Sequence, residues 1–341
     1  MAVIDVHAHI IVPEITRAIT GDDWSPEVVW ENVRRNGDRQ NGVRRNGGRQ
    51  FVTFEGKRIS SALREFCDIE TILAEQDRVG VDKLVLTPWS SLFRYEADVA
   101  TSLQVNQVQN EALARLVAAY GEQIVGLGTV PMQAGETAVT ELTRCMQELG
   151  LKGVEIGTNV NGKYLGDAAF RPFWAAAEAL GAVVQIHPVP GIGGATNREY
   201  YLWNAFANPA ETALTASHMI LSGLLEAHPG LKICLVHGGG HLPYQIGRLD
   251  RAYEMRPEAR KHISQRPSYY FKQFYFDTVV HSVQALAYLV ALVGVERVMV
   301  GSDYPFDMGV ERPADIVHAL NLPEAEKAKL LYENAGRLFG G

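Results

Sequence analysis

Short β-branched runs alternating with helical segments constrain this chain more than any other feature. Runs of that kind occupy residues 3–6, 83–87, 124–130, 153–156, 183–187, 232–237, 274–277 and 297–300. Most are bounded by Gly or Pro, and most precede a segment of helical period such as 173–180 or 283–293. Strand, helix and strand in that order make a crossover between parallel strands. Eight such units predict an α/β fold, the (β/α)8 TIM barrel, in preference to an open sheet. The 341 residues suit one barrel, so the expectation is a single domain over 1–341. Hydrophobic residues at 47% supply a core that needs no staple.

The spacing departs from that pattern once. About seventy residues separate the first run from the second, where an ordinary βαβ unit takes ~30. The extra chain, about 11–65, holds a decapeptide repeat: VRRNGDRQNG at 33–42 and VRRNGGRQFV at 43–52 agree at seven of ten positions. Its Asn36-Gly37, Asn41-Gly42 and Asn46-Gly47 pairs are hairpin-turn signals. From Arg34 to Arg58 stand seven Arg and one Lys against Asp38 and Glu55, a local excess of +6. The expectation is a basic, hairpin-like insertion between strands 1 and 2. It is either a solvated hairpin or a cationic flap that draws an anionic substrate to the barrel mouth.

Composition removes several function classes. Lys and Arg number 32 against 39 Asp and Glu, a net charge of −7, which gives no electrostatic reason to bind nucleic acid or an anionic membrane. Cys67, Cys145 and Cys234 are scattered with no C-x-x-C, which argues against a disulfide framework or a thiolate zinc site. No apolar stretch approaches the ~18 residues of a membrane span, and the first residues lack a signal peptide's apolar run. The expectation is a cytoplasmic protein whose partner is a small molecule.

Polar residues at strand ends carry the functional signal. His7 and His9 close the first run as Asp5-Val6-His7-Ala8-His9, and residues i and i+2 of a strand share a face. Both imidazoles can therefore meet one metal at the carboxyl end of a barrel strand, where barrel enzymes keep their sites. His187 ends the fifth run, His237 the sixth and Asp303 follows the eighth. Without a shared task, these would be buried polar groups with no evident reason.

These residues resemble the amidohydrolase superfamily and, within it, metal-dependent decarboxylases that act on carboxymuconate semialdehydes. The likeness runs through His187-Pro188, through Leu231-Lys232 to His237-Gly238-Gly239-Gly240 and Gly247-Arg248, and through Gly301-Ser302-Asp303-Tyr304-Pro305-Phe306. Gly126-Leu127-Gly128-Thr129, Met132-Gln133 and Ile156-Gly157-Thr158 also fit. The resemblance implies that His7, His9, His187 and Asp303 hold one divalent ion, usually zinc. It makes His237 an acid/base residue beside that ion, with Asp303 both ligand and proton acceptor. Three neutral imidazoles and a carboxylate suit Zn²⁺. Two-metal members carry a carboxylated lysine at the end of strand four. Here Lys152 is at the wrong end, so one metal is favoured, and Glu155 is a hydrogen-bonding residue or a second-site ligand.

The same resemblance implies that Arg248 enters a neighbouring subunit's pocket and grips a substrate carboxylate, making the protein a homodimer or higher homo-oligomer. His241 is a candidate for substrate contact or proton shuttling, and otherwise begins a helix. His218 reads as structural, while Trp89, Trp203 and Phe306 are either pocket wall or packing. One departure bears on the substrate. The arginine expected shortly before Arg64-Glu65-Phe66-Cys67 falls near Ser60 or Ser61, with Arg58 able to replace it from a loop one residue longer. The implied activity is non-oxidative decarboxylation of an aromatic or muconate-semialdehyde-type acid. The alternative is hydrolysis of a C–N, C–C or ester bond at the same mononuclear site. A barrel without activity would lack a ligand, and every ligand position is filled.

Overall fold

A computed structural model of the chain describes residues 2–15, 50–54, 57–62, 64–193 and 199–340. In chain order its strands are β1 (Ile4–Ile10), β2 (Gln50–Phe54), β3 (Lys57–Ala62), β4 (Lys83–Pro88), β5 (Ile124–Gly126), β6 (Gly153–Gly157), β7 (Asn159–Val160), β8 (Lys163–Tyr164), β9 (Val183–His187), β10 (Lys232–Leu235), β11 (Tyr275–Asp277) and β12 (Val298–Met299). β1-β4-β5 form one sheet and β12-β11-β10-β9-β6 another, with every pairing in them parallel. These eight strands coincide with the eight runs read from the sequence. Hydrogen bonds also cross both seams between the sheets. At one, Val6 N donates to Val300 O and Asp303 N to His7 O, each at 2.8 Å. At the other, Gly128 N donates to Gly153 O at 2.9 Å and Glu155 N to Gly128 O at 2.8 Å.

The alternation along β1 separates two layers. Val6, Ala8 and Ile10 join apolar clusters, while Asp5, His7 and His9 are fully buried on the opposite face. β1 runs further than its β-branched residues suggest. The sequence places His7 and His9 at the end of this strand; His9 pairs with Thr87, and the pairing of Ile10 with Pro88 carries β1 one residue further. Both histidines are thus inside the strand and inherit its rigidity. The register shifts between Asp5 and Ala8, at the turn of chain that holds His7.

Helices follow most of these strands: α1 (Ile69–Arg78), α2 (Val99–Tyr120), α3 (Gly135–Gln147), α4 (Arg171–Leu180), α5 (Asn208–Leu221), α6 (Leu242–Met255) and α7 (Val283–Val293). Asp98 caps α2 by accepting Thr101 N at 3.0 Å, and the Ser282 hydroxyl caps α7 by accepting Ala285 N at 3.3 Å. α4 buries Phe173, Trp174 and Ala177, and the Trp174 indole N–H is satisfied by Leu165 O at 2.9 Å. Truncating Trp174 to Ala would cost about 3–5 kcal/mol.

Within the expected insertion, β2 and β3 pair antiparallel with Gln50 opposite Ala62. The three Asn-Gly pairs and the repeat before residue 50 lie outside the described residues. Among the described residues no helix is long and apolar enough to cross a membrane.

Candidate metal centre

Five side chains from four separate stretches of the chain meet where the strands end. One ligand atom each from His7, His187, His237 and Asp303 lies within 4.8 Å of the others. His9 adjoins them, its Nε2 3.1 Å from His7 Nε2 and 3.2 Å from Asp303 Oδ1. His7 Nε2 is 3.3 Å from that same oxygen, and His237 Nε2 is 3.3 Å from Asp303 Oδ2. The rings of His7 and His9, and of His9 and His187, have centroids 5.0 Å apart and meet edge to face.

Hydrogen bonds at the back of each ring decide which nitrogen faces the centre. His187 Nδ1 is 3.0 Å from Pro188 O, and a carbonyl only accepts, so Nδ1 carries the proton and Nε2 carries the lone pair. His7 Nδ1 is 2.7 Å from Asp277 Oδ2, with the same consequence. His9 Nδ1 is 3.0 Å from Thr87 Oγ1, which donates onward to Ala8 O at 3.3 Å. Three imidazole lone pairs and a carboxylate therefore converge on one buried volume. His187 Nε2 and Asp303 Oδ1 are buried there without a hydrogen-bond partner among the described residues. Such atoms cost free energy unless something electropositive sits among them. The donor set fits a divalent cation.

Electrostatics agree with that fit. Burial holds the His187 imidazole well below its ordinary range, with the His9, His7 and His237 rings adding to the effect, so the ring is neutral. Burial alone would raise the Asp303 carboxyl. The imidazoles of His7, His237 and His9 outweigh that and hold it well below the carboxylate range. Behind His9, Glu155 is fully buried, and burial pushes it up to about 7 despite lowering by His9 and Thr87. Its Oε2 accepts from Gln185 Nε2 at 3.1 Å, and its Oε1 lies 3.9 Å from His9 Nδ1.

The turn after β10 presents His237. His237 stands at φ 55 and Gly238 to Gly240 all have positive φ. At Gly240 a Cβ would meet Pro209 O at 2.0 Å, so only glycine lets this turn pack on the start of α5. His241 follows as the residue capping α6 and is not brought into the cluster; its ring rests 4.8 Å from that of Phe206. Arg248 is exposed on α6. Trp89 and Phe306 form a wall with Phe66, at centroid distances of 5.7 Å and 5.2 Å from the Phe66 ring, and Phe306 also lies 5.3 Å from His9. Trp203 stays 49% exposed and packs on Tyr201 instead.

Two buried carboxylates and one aromatic went unread in the sequence. Asp277 holds His7. Asp5 accepts from His7 N at 3.0 Å and from the Ser302 hydroxyl, and burial raises it to about 7. Phe66 supplies the third ring of the wall. Their only sequence signal is a position at, or in, an otherwise apolar strand or segment.

The profile of the Amidohydrolase family matches residues 4–341. A curated relative, the 2-amino-3-carboxymuconate-6-semialdehyde decarboxylase of Dictyostelium discoideum, is 37% identical over 275 residues, covering 80% of this chain and 77% of the relative. The solved 5-carboxyvanillate decarboxylase of Sphingomonas paucimobilis is 28% identical, with a TM-score of 0.80 over 99% of this chain and 98% of that one. A dihydroxybenzoic acid decarboxylase from a Polaromonas species, solved with manganese and the inhibitor 2-nitroresorcinol, is 25% identical. Its TM-score is 0.75 over 99% of this chain and 96% of the other.

Proposed function

The chain belongs to the amidohydrolase family, and from that premise we propose that it is a metal-dependent, non-oxidative decarboxylase of an aromatic or muconate-type carboxylic acid. The observation that carries the reading is the convergence of ligand atoms from His7, His187, His237 and Asp303 beside His9, with His187 Nε2 and Asp303 Oδ1 buried and partnerless among the described residues. We assign His7, His9, His187 and Asp303 as the ligand set. A divalent ion there, Zn²⁺ by its donor chemistry, would supply positive charge and Lewis acidity toward substrate oxygens. The bonds across both seams support a closed (β/α)8 barrel over one domain, 1–341, with the insertion at 11–65.

His237 is the residue to handle the proton. Its side chain is 15% exposed, against 0% for His7 and His9, so it faces the open end of the site. In decarboxylation the bond to the carboxylate breaks, its electron pair stays on carbon, and CO2 leaves. A proton held between His237 Nε2 and Asp303 Oδ2 is delivered to that carbon. The Phe66–Trp89–Phe306 wall offers a flat face suited to a conjugated or aromatic acid.

Arg248 is the counter-charge for a substrate carboxylate, delivered from a second copy of the chain in a homodimer or larger assembly. It is exposed and has no ion pair among the described residues, while nearby Asp250 accepts from Ser268 N at 2.9 Å. Guanidinium suits the task because its planar fork pairs bidentately with a carboxylate. His241, at the start of the same helix, is assigned to substrate contact.

Metal-replete protein assayed against hydroxybenzoates and carboxymuconate semialdehydes should release CO2 from at least one. Ester or amide cleavage with no CO2 from any acid overturns the reading. Mixing Arg248→Ala chains with His237→Ala chains should restore part of the activity. Heterodimers that form and stay inactive rule out the role in trans.

A further inference from the structure

Asp277 ends β11, fully buried, and is not among the ligands assigned above. Its carboxylate makes four hydrogen bonds. Oδ2 lies 2.7 Å from His7 Nδ1 and accepts His237 N–H at 2.9 Å. Oδ1 accepts Gly238 N–H at 2.8 Å and Val279 N–H at 3.1 Å. Three of the four partners are backbone N–H groups, which only donate and so favour an ionised, acceptor-only carboxylate. The fourth contact must then have His7 Nδ1 as donor, which leaves the His7 lone pair on Nε2. That is the atom 3.1 Å from His9 Nε2 and 3.3 Å from Asp303 Oδ1.

The same carboxylate reaches the other half of the site. His237 is a non-glycine residue in left-handed backbone, a conformation that persists only where its surroundings fix it. Asp277 fixes it through the N–H of His237 and of Gly238. Room for the Asp277–His7 pair comes from Gly301, where a Cβ would sit 2.8 Å from Asp277 Cβ and 3.1 Å from His7 Cβ.

We propose that Asp277 is a positioning residue that sets the Nδ1–H tautomer of His7 and clamps the turn bearing His237. A metal-facing lone pair on β1 and the proton-handling ring after β10 are thereby presented together. The metal part of this inference rests on the ligand set proposed above; the tautomer part does not. Asp277→Asn is the discriminating change because it keeps shape. With its amide oxygen on Gly238 and Val279, its NH2 would face His7 Nδ1 and push the His7 proton to Nε2, across the lone pair the site needs.

Two measurements test the assignment. In metal-free wild type labelled with ¹⁵N-histidine at pH 8, His7 should carry its proton on Nδ1, and in Asp277→Asn on Nε2. Zinc affinity, read by competition with a chromophoric chelator, should fall about 10–100-fold in the variant, the range for lost outer partners of metal-bound histidines. Wild-type His7 protonated on Nε2, or a folded variant binding zinc within about two-fold of wild type, overturns the proposal. Should the variant not fold, the wild-type tautomer decides alone. A wild type that binds no divalent ion sinks the ligand set, and the tautomer still judges Asp277.

Discussion

His237 Nε2 lies 3.3 Å from Asp303 Oδ2, and both residues stand in left-handed backbone, at φ 55 and φ 59. Each therefore holds a conformation that a non-glycine residue adopts at a cost, of order 1–3 kcal/mol. Asp303 is anchored by its own N–H to His7 O at 2.8 Å. Strain of this kind, paired across two strand ends, marks residues kept for what their side chains do together.

His237 and His187 should separate by substitution. His237→Ala should keep its metal and lose at least ~10²-fold in kcat, the lower range of general acid–base effects. His187→Ala, which removes a neutral nitrogen with no other task, should lose metal affinity instead. Elemental analysis beside the rates checks both. A His237→Ala protein that sheds its metal would make that residue a ligand.

The Glu155 carboxyl gives a pH signature in metal-free protein. Burial raises it from 4.5 to about 7 in the folded state. The stability tied to its protonated form is thus complete below about 4.5 and is lost as pH rises through about 7, a difference on the order of 3 kcal/mol. Glu155→Gln removes the titration. Melting temperatures of the two metal-free proteins should converge near pH 5 and diverge in favour of the variant at pH 8. A constant difference across that range contradicts the burial argument.

Phe306 touches His9, Phe66 and Trp89 together. Phe306→Ala should raise KM for an aromatic acid about 2–10-fold, matching the ~0.5–1.5 kcal/mol of an aromatic pair, with a smaller change in kcat. A kcat loss with KM unmoved would place the ring in transition-state alignment.

How much was legible depended on whether a signal was local. The H-x-H of β1 advertises itself because both residues share a face within one run. His187, His237 and Asp303 each close an apolar run, so the eight strands and the meeting of these side chains were readable. Asp277 was read only as the end of a run. Nothing near it in the chain explains a buried carboxylate, because its partner His7 is 270 positions away. Phe66 was hidden in the same way, in a segment read for its arginine. Trp203, read as either pocket wall or packing, is turned outward by the fold and packs on Tyr201.

In the proposed reaction a proton takes the place of the carboxylate carbon. Turnover of the best acid from the substrate panel in D2O containing H2¹⁸O tests it most directly, with product and gas read by mass spectrometry. One CO2 should be released per product, with one solvent deuterium and no ¹⁸O on the carbon that bore the carboxylate. A product that carries solvent ¹⁸O, with no CO2 released, would show a hydrolase at the same site.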